Sequence, residues 1–219
     1  MDKAAAYANI LFDLDGTLTD PALGITSAAQ YGLAKMGIAV KDAATLNWMI
    51  GPPLIASFME GYGMSEEEAK QCLTGYREYF SVTGIYQNEI YPGIAELLRD
   101  LRAAGRRILL ATSKPEEFAN VILKHFDIDQ YFHFVGGNTF DESRPRKEDV
   151  IAYVLSQYPD ITPENTVMVG DRKYDVEGAA QFSLPCIGVL FGYGSLEELT
   201  AAGAAKIAAT VDELRSILL

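Results

Sequence analysis

Five short apolar runs, each stopping at polar or glycine residues, limit what this chain can become: "NILFDLD" (9–15), "RILLATS" (107–113), "FHFVGGN" (132–138), "TVMVGD" (166–171) and "PCIGVLF" (185–191). None alternates cleanly between apolar and polar residues, which is how strands covered on both faces read. Helix-like segments separate them from residue 93 onward. "GIAELLRDLRAAG" repeats Ile, Leu and Ala at helical spacing and stops at Gly105, a C-terminal signal. "SKPEEFANVILKHF" sets Ser113 three residues before Glu116, which predicts a capping box with Ser113 as the helix cap. "RKEDVIAYVLSQY" and "DVEGAAQF" continue the alternation, and Ser195 with Glu198 and Thr210 with Glu213 predict two short helices near the end. A β-α-β-α rhythm of this kind specifies an open parallel sheet with helices on both faces.

Residues 19–85 break the rhythm. "ALGITSAAQYGLAKMG", "AATLNWMIGPPLIASFMEGYG" and "SEEEAKQCLTGYREYFSVTG" read as helices separated by Gly or Pro, with Ser65 and Glu68 as another capping box. The expectation is therefore an α/β protein: a Rossmann-like core from residues 1–18 and 86–219, with a small all-α cap domain, 19–85, inserted after the first strand. Trp48, Tyr62, Tyr76, Tyr79 and Phe80 are expected in the core of that insertion. Gly51 and its two prolines in "IGPPL" are either punctuation or a loop that closes over substrate.

Charge narrows the partners. A formal net charge of −12 argues against nucleic acid and means that an anionic substrate must find a locally positive pocket or a metal. Cys72 and Cys186 lie outside any metal spacing and read as small buried hydrophobes; His125 and His133 are equally isolated. "MDKAAAYANILF" lacks a signal-peptide pattern, and the longest uncharged stretch, "SLPCIGVLFGYGSL", is too short to span a membrane. A cytoplasmic protein without a membrane partner is the expectation, as monomer or homodimer.

The acids carry the chemistry. Asp13 and Asp15 follow the first run, Thr112 and Ser113 the second, Asp171 the fourth, and in open parallel sheets the ligand crevice lies at the carboxyl ends of the strands. Lys147 opens the helix before the fourth run, within reach of that crevice, and Asp175 lies one helical turn beyond Asp171. Three carboxylates meeting at one point repel each other unless a cation joins them, and oxygen ligands without His or Cys favour Mg²⁺. Beside a hydroxyl, backbone amides at a helix start and a lysine, such an ion makes a phosphate site. A carboxylate there can attack phosphorus.

"DLDGTLTD", "ATSKP", Lys147 and "GDRKYD", in this order and spacing, resemble the four motifs of the haloacid dehalogenase superfamily, phosphatase branch, over essentially the whole chain. The resemblance implies that Asp13 is the nucleophile and a Mg²⁺ ligand. It implies that Asp15 protonates the leaving oxygen and then activates water, while its carbonyl binds the metal. Thr112 and the Ser113 amide would hold phosphoryl oxygens, Lys147 would neutralise phosphate and nucleophile, Asp171 would reach the metal, and Asp175 would support that shell. The implied activity is Mg²⁺-dependent hydrolysis of a small phosphorylated metabolite, phosphoglycolate- or nucleotide-like, through an aspartyl-phosphate. A phosphomutase of the β-phosphoglucomutase kind shares the motifs. A receiver-like or phosphate-binding signalling protein is the non-enzyme alternative, although receiver domains lack an insertion after the first strand. One departure stands out: "SRPRKED" has no proline after Lys147, and Arg144, Arg146 or Arg172 are candidates to share phosphate binding.

Overall fold

The computed structural model describes residues 7–219; the start of "MDKAAAYANILF", where the absence of a signal peptide was read, lies partly outside them. In chain order the elements are β1 (Asn9–Phe12), β2 (Thr19–Asp20), α1 (Ala22–Lys35), α2 (Leu54–Tyr62), α3 (Glu66–Phe80) and β3 (Glu89–Ile90). There follow α4 (Ile94–Ala103), β4 (Arg107–Pro115), α5 (Glu116–His125), β5 (Phe134–Asn138), α6 (Lys147–Ser156), β6 (Thr166–Gly170), α7 (Lys173–Ala180), β7 (Cys186–Val189), α8 (Leu196–Ala202), β8 (Lys206–Ala208) and α9 (Val211–Leu218). The chain divides into one unit of Met1–Thr19 with Ile90–Leu219 and a second of Asp20–Glu89.

The first unit is built on a six-stranded sheet in the order β5-β4-β1-β6-β7-β8, with the pairings parallel. Every residue of β1, β6 and β7 is buried, the state that their unbroken apolar runs require. Register decides where the polar ends emerge. Phe12 pairs with Leu110 on one side and Val169 on the other, so Asp13, Thr112 and Asp171 leave the sheet at nearly one level. The Asp13 N–H continues the ladder to the Val169 carbonyl at 2.9 Å.

Local signals place the helices. Ser195 and Thr210 accept from the N–H groups of Glu198 and Glu213, capping α8 and α9. Ser113 does not cap α5. It lies inside β4, which runs on to Pro115, and Pro115 occupies the cap position without a side-chain bond. The extended backbone that a residue before proline prefers outweighs the Ser-to-Glu spacing there.

The second unit is helical apart from its half of the short β2–β3 ribbon. Ser65 and Glu68 form the expected capping box on α3. Gly32 of α1 and Gly75 of α3 allow these helices to meet closely: a Cβ on Gly32 would lie 2.6 Å from the Cys72 carbonyl oxygen. Phe58, Phe80, Leu33 and Tyr76 fill the core, with Tyr76 and Phe80 stacked at 5.3 Å. Trp48 is a correction, being 46% exposed rather than buried, and "AATLNWM" forms a 3-10 turn instead of an α-helix. That turn ends at Ile50, and the glycine and two prolines beyond it block continuation.

Candidate active site

Four elements of the first unit deliver the site. Asp13 and Asp15 follow β1, Thr112 sits near the end of β4, Lys147 opens α6, and Asp171 and Asp175 flank the start of α7. Asp13, Thr112, Lys147, Asp171 and Asp175 are all buried. Lys147 ties the set together: its Nζ lies 2.8 Å from Asp13 Oδ1, 2.8 Å from Asp175 Oδ1, and donates to the Ala111 carbonyl at 3.1 Å. Asp175 Oδ2 accepts from the Arg172 N–H at 3.1 Å, which aims the side chain back across the first turn of α7.

Asp171 is held from the other side. Tyr193 N–H donates to its Oδ2 at 2.8 Å, and the loop after β7 packs so tightly that a Cβ on Gly192 would lie 2.5 Å from the Asp171 Cβ. Gly16 presses equally close, for its φ is +81° and a Cβ there would come within 2.2 Å of Asp171 Oδ2. The glycine after the two acids is thus required by conformation and by space.

Burial pushes the Asp171 carboxyl well above the usual carboxylate range, and the charges of Asp175 and Asp13 push it further. Asp175 is raised by burial too, against the pull of Lys147. Burial disfavours the Lys147 ammonium, but Asp13 and Asp175 outweigh it and raise its pKa. Asp15 is raised by burial although Lys114 works in the opposite direction. A carboxyl whose pKa is raised by burial holds its proton more firmly than a free one, which favours general acid work.

Asp13, Asp171 and Asp175 offer oxygens within 4.8 Å of one another. Asp171 Oδ1 is buried and meets no hydrogen-bond partner among the described residues. With all four carboxyls ionised, the site would exceed the two ammonium groups of Lys147 and Lys114 by two negative charges, that of one divalent ion. All-oxygen donors, an orphaned acceptor and this imbalance fit a hard divalent cation.

Some expected partners are engaged elsewhere. The Asp15 carboxylate stands outside the three-acid group and pairs with Lys114 at 2.7 Å. Arg172 pairs with Glu198 at 2.9 Å, Arg146 with Asp149 at 2.9 Å, and Arg144 donates to the Gly137 carbonyl at 2.9 Å while stacking 3.9 Å from the Tyr153 ring. Lys114 and the Phe191–Ser195 loop are what the sequence reading missed. Lys114 stands inside "ATSKP", where its proximity to two site residues was the available signal; nothing in "FGYGS" marks a backbone donor.

An open parallel sheet that brings acids, a lysine and a threonine to its carboxyl end is the arrangement expected of a phosphoryl-transfer enzyme. The pattern of the haloacid dehalogenase-like hydrolases matches residues 10–189, and the chain belongs to that family. A 5'-nucleotidase of Pseudomonas aeruginosa is 44% identical over 217 residues, covering 99% of this chain and 98% of that protein. Tyrosine-protein kinase PtkA of Mycobacterium tuberculosis is 42% identical over 95% of this chain and 72% of its own length. Phosphoglycolate phosphatase 1 of P. aeruginosa is 27% identical over 95% of this chain and 78% of its own. Among solved structures, a predicted phosphatase from Clostridium acetobutylicum superposes with a TM-score of 0.94 at 46% identity, covering 97% of this chain and 98% of that one. The protein is a phosphatase of this family. Among the described residues no helix is long and apolar enough to cross a membrane.

Proposed function

We propose that the protein is a Mg²⁺-dependent phosphatase of small phosphomonoesters, nucleoside 5'-monophosphates before phosphoglycolate, working through an aspartyl-phosphate on Asp13. The observation that carries this reading is the Lys147 ammonium between Asp13 and Asp175, with Asp171 completing a three-oxygen site beside them. The substrate preference rests on the 5'-nucleotidase likeness, which is closer and covers more of both chains than the phosphoglycolate phosphatase likeness. The Asp20–Glu89 unit serves as the cap domain.

An Asp13 carboxylate oxygen attacks phosphorus, the bond from phosphorus to the ester oxygen breaks, and that oxygen takes a proton from Asp15. Asp15 then takes a proton from water as the water oxygen attacks phosphorus. The bond to Asp13 breaks, and phosphate leaves with the carboxylate restored. Lys147 offsets charge on nucleophile and phosphoryl group, while Thr112 and the Ser113 amide hold equatorial oxygens. Asp13, Asp171 and the Asp15 carbonyl would hold Mg²⁺, supported by Asp175, and the ion would supply charge stabilisation of the phosphoryl oxygens.

The test is phosphate release from nucleoside monophosphates, phosphoglycolate and sugar phosphates, with and without chelator. Asp13→Asn is expected to fold and to lose at least ~10³-fold in turnover; retained turnover refutes the nucleophile. A mutase and the kinase-named relative both transfer phosphoryl groups to acceptors other than water. Assaying sugar phosphate isomers and transfer from ATP alongside hydrolysis separates these outcomes.

A further inference from the structure

Of the four carboxylates at this end of the sheet, three converge and one does not. Asp15 Oδ2 sits 2.7 Å from Lys114 Nζ, and the two side chains are only 14% and 5% exposed. Asp15 Oδ1 is buried and meets no hydrogen-bond partner among the described residues. The backbone that delivers Lys114 is held on two sides. Pairing with β5 slips between Thr112 and Pro115, the Lys114 N–H donates to Thr112 Oγ1 at 3.3 Å, and the Lys114 carbonyl lies so near Gly137 that a Cβ there would come within 2.7 Å. Each lysine of the site therefore meets different acids: Lys147 meets Asp13 and Asp175, and Lys114 meets Asp15.

We propose that Lys114 is a positioning residue for Asp15. It holds that carboxyl out of the three-acid group and so keeps it available to exchange a proton with the departing oxygen. An Asp15 released from this pair, two residues from Asp13, is free to turn its carboxyl toward the three-acid group and away from the departing oxygen. Lys114 keeps its own protons throughout; the protonated Asp15 carboxyl gives its proton to the ester oxygen as that oxygen's bond to phosphorus breaks, and the ammonium offsets the charge of the carboxylate so formed. The inference rests on reading Asp15 as the acid.

The experiment compares kcat/KM for phenyl phosphate and p-nitrophenyl phosphate with Mg²⁺ present. These esters differ in how strongly the leaving oxygen needs a proton, and kcat/KM reports the step that releases it. Lys114→Met is expected to cost ~10-fold or more on phenyl phosphate and under ~3-fold on p-nitrophenyl phosphate. Lys114→Arg, which keeps the cation, regains most of the loss. In an Asp15→Asn background Lys114→Met costs no more than ~2-fold further, because residues acting as a unit are not additive. Equal losses on both esters, no loss, or a full additional loss in the Asp15→Asn background overturns the proposal, the last assigning Lys114 to the phosphate itself. If Asp15→Asn alone leaves phenyl phosphate turnover intact, the reading of Asp15 fails; if only Lys114→Met is silent, this inference alone fails. Far-UV circular dichroism checks folding, and Lys114→Gln carries the same readouts if the Met variant does not fold.

Discussion

Asp175 shows how one residue can be wrong for stability and right for a site. Its carboxyl is buried, and burial raises its pKa from 3.8 to about 6 even with Lys147 beside it. A carboxyl whose pKa is higher when folded stabilises the fold fully below the unfolded value, and that contribution disappears as pH rises through the folded value. Asp171 and Asp15 shift in the same direction, again from burial. The carboxyls that folding lowers, such as Glu66, Glu68 and Asp149, act mainly below their ordinary values of 4.5, 4.5 and 3.8, and His133, lowered from 6.5 by burial, offsets only part of the effect of three buried acids above them. The metal-free protein is therefore expected to lose melting temperature between about pH 4.5 and just above 6, and added Mg²⁺ to raise it most above that range. Thermal unfolding with and without EDTA across the window checks this; a Mg²⁺ effect independent of pH contradicts it. Asp13 and Asp171 were legible as candidates because each follows an apolar run, Lys147 because it opens a helix beside one, and Asp175 because it lies one helical turn after Asp171. The Asp15–Lys114 pair was not, since spacing along a strand says nothing about which of several acids a lysine meets.

At the scale of elements, the parallel strands and their burial on both faces could be expected from the apolar runs, but the contacts between helices could not. Gly32 has a low helix propensity, and nothing in "QYGLAKMG" tells that it lets α1 lie against α3. Gly32→Ala raises helix propensity by up to ~1 kcal/mol, yet the added carbon would stand 2.6 Å from the Cys72 carbonyl and 3.0 Å from the Tyr76 nitrogen, both backbone atoms. Overpacking of this kind costs ~1–3 kcal/mol. The clash wins, and urea unfolding is expected to show a net loss of ~1–2 kcal/mol; a gain would mean that the helices separate freely. Similar reasons explain the other differences. Ser113 carried a cap spacing, but Pro115 holds that backbone extended as strand. β8, three residues long, is shorter than any window in which periodicity can be counted. Trp48 looked like core because its type favours burial, while its 3-10 turn leaves it at the surface.

Over the whole molecule, charge and chemistry pull in opposite directions. A chain with a net charge of −12 repels a phosphomonoester dianion at long range, while the lysines, and a cation once bound by the three acids, attract it at contact. The two effects respond differently to salt. The Debye length falls from about 30 Å at 0.01 M to about 10 Å at 0.1 M, so salt removes repulsion between distant surface charges well before it weakens buried contacts a few ångströms apart. Lys147 and Lys114, with side chains 4% and 5% exposed, belong to the second class. Hence kcat/KM for an anionic phosphomonoester at fixed free Mg²⁺ is expected to rise, by ~2- to 5-fold, as KCl increases from about 0.01 to 0.1 M, with kcat nearly constant. Steady-state kinetics across that range decide it. A falling kcat/KM would mean that the positive field of the site reaches beyond its mouth and already dominates the approach of substrate.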